Sequence, residues 1–315
     1  MAEAHRGERR VAALLLNWRQ PALTLQCLRD LLAVHDVAIH VFVIDNGSGD
    51  DSAATLRAAL PSFDVGPHAV ELVALPTNGG FTGGMNAGIR LAIERGIPFA
   101  LVLNNDLRLP PDFLSPLVAV LANDPSVAAV GPTVLQSDGT VWAEGGRTGF
   151  APNGLTLVRQ GKAPRPREHG PEAVPFLPGA CVLFRTSSLA AVGAFDDAYF
   201  MYWEDVDLCA RLRERGGSIV WLPWVRVEHL GGRSSGGGKS PLRKFLMACN
   251  EVRYLRARGN AVLWLAFVVF DVLLWPLTLL TGPRAAIAKL RGTLAGLRGH
   301  RASAADVANW MRHSS

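Results

Sequence analysis

Three polar clusters, each with at least one carboxylate, have residue types and spacing that could do chemistry. In the first, the apolar run Ala100–Leu103 stops abruptly in Asn104-Asn105-Asp106. Such a run reads as a fully buried parallel strand, and open α/β sheets bind ligands where these strands end. A lone aspartate between hydrogen-bonding amides suits a hard divalent cation carried by a phosphorylated ligand. The same residues could instead cap a helix beginning at Pro111, with Asp112 in its first turn. In the second cluster, four aromatics (Tyr199, Phe200, Tyr202, Trp203) lead into Glu204, Asp205 and Asp207. Glu204 and Asp207 lie about one helical turn apart, while Asp205 points elsewhere. An aspartate beside an aromatic wall is a candidate general base, because partial desolvation raises its pKa. First-turn acids also suit a helix dipole, and Asp207 and Arg211 have the i,i+4 spacing of a surface pair. The third cluster is Asp45, at the end of the run His40–Ile44. It could accept hydrogen bonds from a ribose or a base, or simply build a turn with Asn46, Gly47 and Ser48.

Two further segments belong with these. Asn78-Gly79-Gly80-Phe81-Thr82-Gly83-Gly84 lets backbone approach a ligand and precedes a helix whose N-terminus could face phosphate. Its spacing is neither G-x-G-x-x-G, since Phe81 holds the second glycine's place, nor a P-loop, which needs Gly-Lys-Ser/Thr. His229 closes a strand-like run and could ligate a metal or meet a diphosphate, with Arg233 behind it for phosphate.

These residues need a scaffold that brings strand ends together. Strand-like Val11–Leu16, His40–Ile44, Val70–Leu75 and Phe99–Leu103 alternate with helical Leu23–Leu32, Ala53–Leu60 and Met85–Glu94. That order predicts an α/β fold with a parallel, doubly wound sheet. Val127–Val134 and Val182–Phe184 add strands, and Val141–Pro175 reads as a hairpin-and-loop excursion. Glu204–Arg215 reads as a helix, Ile219–Leu222 and Val225–Val227 as two short strands, and Gly231–Ser240 as a flexible loop with five glycines and three serines.

Composition narrows the class. The chain has 315 residues, 49% of them hydrophobic, a mean hydropathy of +0.18, a net charge of +5 and a pI near 9.3. A large core, membrane contact and anionic partners all fit these values. Cys27, Cys181, Cys209 and Cys249 form neither a zinc pattern nor a disulfide framework, which fits a reducing compartment. The polar start Met1–Arg10 precedes an apolar run too short for a signal peptide, so a cytoplasmic catalytic body is expected. Ala261–Thr281 is apolar apart from Asp271, but six Lys/Arg flank it in Lys239–Asn260 and six in Gly282–Ser315. Basic flanks on both sides and a central aspartate favour a segment lying in or dipping into the cytoplasmic leaflet, with a span as the alternative and a core helix as the plain one. Ile287, Leu290, Leu294 and Leu297 then share a helical face, with Lys289, Arg291 and Arg298 available to headgroups. Anionic lipid accounts for this charge better than nucleic acid does.

In order, Leu16-Asn17-Trp18, Val43–Ser48, Asn78–Phe81, Leu103–Asp106, Pro178-Gly179-Ala180 and Glu204–Asp207 resemble glycosyltransferase family 2, the inverting enzymes with a GT-A fold. The resemblance runs from Val11 to Ser235 and is strongest to the rhamnosyltransferase-type branch. It implies a Rossmann-like, mostly parallel sheet in a catalytic domain over 1–240, followed by a helical membrane-associating region over 241–315. It implies that Asn17, Trp18, Asp45, Asn78, Gly80, Phe81, Asn104 and Asn105 serve the donor, with Asp45 at the nucleoside. Pro178, Gly179, Ala180, Trp203 and Glu204 would serve the acceptor side, and Asp205 would be the base. Asp106, as the last acid of a DxD element, would hold Mg²⁺ or Mn²⁺, with His229 nearby. Asn104 stands where that element's first acid is usual, so Asp106 carries the metal nearly alone.

The activity so implied moves L-rhamnose from dTDP-rhamnose onto a polyprenyl-linked saccharide at the cytoplasmic face of the cell membrane. Transfer from UDP-galactofuranose or UDP-N-acetylglucosamine is the enzymatic alternative, and a non-catalytic sugar-nucleotide-binding scaffold the other class.

Overall fold

The computed structural model describes residues 10–151, 154–231, 240–280 and 282–312. The start of the chain, Arg233 and most of the glycine- and serine-rich run lie outside these residues. Its centre is a mixed sheet of ten strands with the path β10-β12-β6-β11-β4-β1-β2-β3. Here β1 is Val11–Asn17, β2 Ile39–Asp45, β3 Ala69–Ala74, β4 Phe99–Leu103, β6 Val127–Gln136, β10 Glu172–Ala173, β11 Cys181–Arg185 and β12 Ser218–His229. Strands β3, β2, β1 and β4 are parallel, as the alternating pattern predicts. Alternate residues of β1 feed opposite cores, Ala12 and Leu14 one, Val11, Ala13 and Leu15 the other. Both faces are covered, which is why these strands read as unbroken apolar runs.

Beyond β4 the sheet departs from a doubly wound one. β11 runs antiparallel to both β4 and β6, and β12 returns parallel to β6. The two short strands expected near Trp221 are one strand, irregular between Leu222 and Arg226. Pro223 lies in that irregularity, where a residue lacking an N–H costs no ladder bond. β5, Leu107–Arg108, pairs antiparallel with the end of β12, placing Leu107 opposite His229. The excursion after β6 contains the short strands β7 Val141–Ala143, β8 Gly146–Thr148 and β9 Leu155–Leu157.

Helices α1 (Pro21–Leu32), α2 (Ser52–Ala59) and α3 (Gly80–Glu94) connect the parallel strands. α3 starts at Gly80 rather than Met85, because Asn46 and Asn78 side chains accept from the N–H groups of Gly79 and Gly80. The next helix, α4, is Leu114–Asn123, not one begun at Pro111. Phe113 N–H closes a turn on Pro110 O, His35 N–H occupies Pro111 O, and Asp112 is exposed outside the first helical turn. α5 is Thr186–Val192 and α6 Glu204–Glu214.

The rest is helical: α7 Pro241–Arg258, α8 Ala261–Phe267, a π-helical stretch Val268–Leu273, α9 Trp275–Thr278, α10 Pro283–Leu297 and α11 Ala304–Arg312. Among the described residues no helix is long and apolar enough to cross a membrane. Asp271 is buried within the π-helical stretch and pairs with Lys289, which is therefore not free for headgroups. α10 lies against α7 through its small residues: a Cβ on Gly292 would meet Phe245 O at 2.2 Å, and one on Gly296 Cys249 O at 2.6 Å. Its opposite face leaves Ile287, Leu294 and Leu297 exposed.

Candidate active site

The carboxyl ends of β1 and β4 open onto one cavity of about 780 Å³, and residues from β12, α6 and α7 complete its wall. At one corner, Asp106 and His229 are both buried, brought together by the β5–β12 pairing. His229 Nε2 lies 3.1 Å from Asp106 Oδ1 but has no aligned hydrogen bond. A buried imidazole nitrogen left this way, beside a carboxylate in a cavity wall, is a donor set that a cation would complete. Among the described residues no group of three His, Cys, Asp or Glu could hold a metal, so a cation there needs oxygens from its ligand or water.

The second corner is the Glu204–Asp205 pair. Trp203, at the N-cap of α6, has a left-handed backbone, and Phe200 and Tyr202 also have positive φ. Three such non-glycine residues store strain, which persists only where the surroundings over-determine it. Here the determinant is Asn250 of α7, whose Nδ2 reaches the carbonyls of Tyr199 (2.7 Å), Met201 (2.9 Å) and Tyr202 (2.9 Å). Beyond the strained turn, Asp205 accepts from Gly179 N–H through Oδ2 (3.0 Å) and from Val206 N–H through Oδ1 (2.8 Å). Burial pushes its pKa up, and those two N–H groups pull it back. Burial pushes neighbouring Glu204 much further up, the Asp205 charge adds to this, and its Oε2 has no partner. Two N–H donors thus favour a charge on Asp205, and Glu204 Oε2 has no donor to favour one there.

Asp207 belongs elsewhere. It pairs with Arg211 (2.7 Å) and with Arg258 (2.6 Å), and takes the Tyr199 hydroxyl (3.3 Å). The i,i+4 pair expected from sequence is thus present, reinforced from the end of α7.

Pro178-Gly179-Ala180 joins the two corners. Ala180 O accepts from Asn104 N–H (2.9 Å) while Gly179 N–H holds Asp205, and the Phe81 ring packs on Gly179. Trp18, Asn78, Gly80, Phe81, Asn104 and Asn105 also face the cavity. Asn17 and Asp45 do not line it. Beneath its floor Asn105 Nδ2 donates to Thr24 Oγ1 (3.0 Å), Thr24 Oγ1 to Asn17 Oδ1 (2.9 Å), and Asn17 Nδ2 to Asp45 Oδ1 (2.7 Å). Ser48 Oγ closes this relay on Asp45 (2.6 Å). Asn17 and Asn105 thus tie α1, β1, β2 and the end of β4 together.

Packing accounts for two of the four glycines in the run 78–84. A Cβ on Gly80 (φ +73°) would meet Phe200 O at 2.3 Å, and one on Gly84 would meet Leu16 Cδ1 at 2.3 Å. Only Gly83 and Gly79 lack such crowding below 3.0 Å within the run. Asn46, not singled out from sequence, pins this loop by accepting from Gly79 N–H (3.1 Å) and donating to Gly80 O (2.8 Å). Its place in the Asp-Asn-Gly-Ser turn was the available signal. Asn250 has none, since nothing local in α7 points to a loop about 50 residues away.

Solved structures share this architecture. One is GalNAc-T7 with UDP, GalNAc and Mn²⁺, with a TM-score of 0.59 and 14% identity, over 90% of this chain and 53% of that one. Another is the mannosyltransferase PcManGT from Pyrobaculum calidifontis with GDP-Man and Mn²⁺, with a TM-score of 0.58 and 16% identity, over 97% and 79%. The fold is that of GT-A-type glycosyltransferases. Within that class the chain belongs to the glycosyltransferase-like family 2, whose model matches residues 9–241. It is also similar to an N-acetylglucosaminyl-diphospho-decaprenol L-rhamnosyltransferase from Mycobacterium tuberculosis, 31% identical over 221 residues, which are 63% of this chain and 68% of that relative.

Proposed function

We propose that the protein is an inverting rhamnosyltransferase, moving L-rhamnose from dTDP-rhamnose onto a polyprenyl-diphosphate-linked saccharide in cell-wall or surface polysaccharide synthesis. The observation that carries this reading is the single cavity with Asp205 on one side and Asp106 with His229 on the other, stitched together by Pro178–Ala180. The donor and acceptor classes rest on the similarity to the mycobacterial rhamnosyltransferase.

Asp205 takes the proton of the acceptor hydroxyl as that oxygen bonds to the anomeric carbon. The C–O bond to the nucleoside diphosphate breaks on the opposite face, its electron pair leaves with the diphosphate, and the configuration inverts. Burial and the Asp205 charge disfavour a second negative charge on Glu204, beside the base. Asp106 and His229 would hold Mg²⁺ or Mn²⁺, with the diphosphate supplying further oxygens. Such an ion offsets the charge that develops on the leaving group.

We place membrane association within 241–315, on the part beyond the cavity-lining turns of α7. Val262, Leu265, Leu273, Leu277 and Leu280 are among its exposed large apolar residues, an arrangement suited to lying against the cytoplasmic face of the cell membrane. Arg291 and Arg298 are exposed and would meet headgroups.

The deciding experiment is a panel of nucleotide sugars scored by protection against thermal unfolding, with and without Mg²⁺ or Mn²⁺. Selective protection by dTDP-rhamnose is expected. Preference for UDP-galactofuranose or UDP-N-acetylglucosamine would replace the donor, and no protection by any sugar nucleotide would favour a scaffold. Asp205→Asn should bind donor normally and lose at least about a hundredfold in turnover; normal turnover would end the base assignment.

A further inference from the structure

The cavity has a charge balance that the donor site alone does not explain. Its described lining holds four acids, Asp106, Asp138, Glu204 and Asp205, and only one Lys or Arg, which is Arg243. Arg243 comes from the first turn of α7, in the region read from sequence as a membrane tail. Its guanidinium lies 5.6 Å from the ring centre of Tyr202, immediately before Trp203-Glu204-Asp205. Among the described residues it pairs with no carboxylate, whereas nearby Lys289 pairs with Asp271 and Arg258 with Asp207 and Glu214. Leu242, Leu246 and Met247, at i−1, i+3 and i+4 from Arg243 on the same helix, line the same cavity. One cation with apolar side chains around it is a recognition pattern for a diphosphate bearing a hydrocarbon chain.

We infer that Arg243 binds the diphosphate of the lipid-linked acceptor, with Leu242, Leu246 and Met247 against its first isoprenoid units. The inference rests on the acceptor class proposed above and names its subsite. The donor's diphosphate is the competing source of the same chemistry, but it already has the Asp106–His229 corner. Arg243 instead stands beside the turn that leads into the base, where an acceptor must lie. The helix that presents the acceptor would thus be the helix whose Asn250 holds that turn.

The test measures binding of farnesyl diphosphate, farnesol and dTDP with Mn²⁺ to the full chain and to Arg243→Ala and Arg243→Lys. A charge-assisted contact of this kind predicts roughly a ten- to hundredfold loss of farnesyl diphosphate affinity in Arg243→Ala. Farnesol and dTDP affinities should stay within about twofold, and Arg243→Lys should recover part of the loss because it keeps the charge but not the fork. Loss of dTDP affinity instead would move Arg243 to the donor. An equal loss for farnesol would make it a packing residue, and unchanged farnesyl diphosphate binding would overturn the subsite. A wild-type protein that binds farnesyl diphosphate through Arg243 yet transfers no sugar would sink the proposed activity and leave the subsite standing.

Discussion

Replacing Asn250 tests whether the catalytic turn is held from outside its own segment. The side chain is fully buried and its amide nitrogen faces three carbonyls with two hydrogens to share. Each neutral bond contributes about 1 kcal/mol net, and a buried carbonyl left without a partner costs about 1–3 kcal/mol. With some relaxation, Asn250→Ala should lower the unfolding free energy by about 2–4 kcal/mol. The turn would then give back strain held at Phe200, Tyr202 and Trp203, displacing Asp205, and a misplacement of about 1 Å costs on the order of a hundredfold in rate. Asn250→Asp keeps the shape, removes the donors and sets a carboxylate against carbonyls, so it should be at least as damaging. Urea unfolding at constant m-value gives the stability, and kcat with both substrates saturating gives the rate. Stability lost with kcat intact would make Asn250 a packing residue and refute the coupling between α7 and the base.

Three further outcomes follow from the geometry. Gly84→Ala should destabilise by about 1–3 kcal/mol through overpacking on Leu16, while Gly83→Ala, with open space around it, should stabilise by about 0.5–1 kcal/mol; equal effects in denaturant melts would deny the packing role of the run. Because Asp205 must be anionic to act and burial raises its pKa, kcat should fall on acidification well before an exposed aspartate would protonate, near about 3.9; an acid limb at that unshifted value would contradict the buried base. Glu251, buried beside Asp271, is pushed up to about 8 by desolvation first and then by that charge. A carboxyl raised on folding stabilises fully at low pH and loses that contribution as pH rises through its folded value, so stability should decline towards pH 8 and Glu251→Gln should flatten the decline.

The parallel half of the sheet was legible because burial on both faces writes continuous apolar runs, and turn-formers punctuate them. Direction is not written that way. β11 reads like any buried strand, and only its partners show that it runs antiparallel. The start of α3 at Gly80 is hidden in the sequence because glycines lower local propensity, yet here they admit Leu16 and Phe200. In the cavity wall, Asp106, His229, Glu204 and Asp205 are legible as acids and a histidine at element ends. Asn17 and Asp45 were picked out with them, but they lie under the floor in a relay with Thr24 and Asn105. Asn250 and Arg243 went unnoticed because their partners are distant in sequence, and the charge and hydropathy of 241–315 pointed outward to lipid rather than inward to the cavity.

The helix α7 also bears on how such a protein can be altered. Its first turn forms cavity wall, its middle holds the turn before the base, and its last residue grips Asp207 and Glu214. A chain cut at 240, or one given a foreign segment there, would lose the helix that forms cavity wall and holds the 199–203 turn. Exchanging tails between relatives to redirect one towards a different carrier would therefore transplant part of the catalytic apparatus with the address. Even a junction placed after Arg258 would part α7 from α10, which lies against it, and would remove Val307 from the cavity wall.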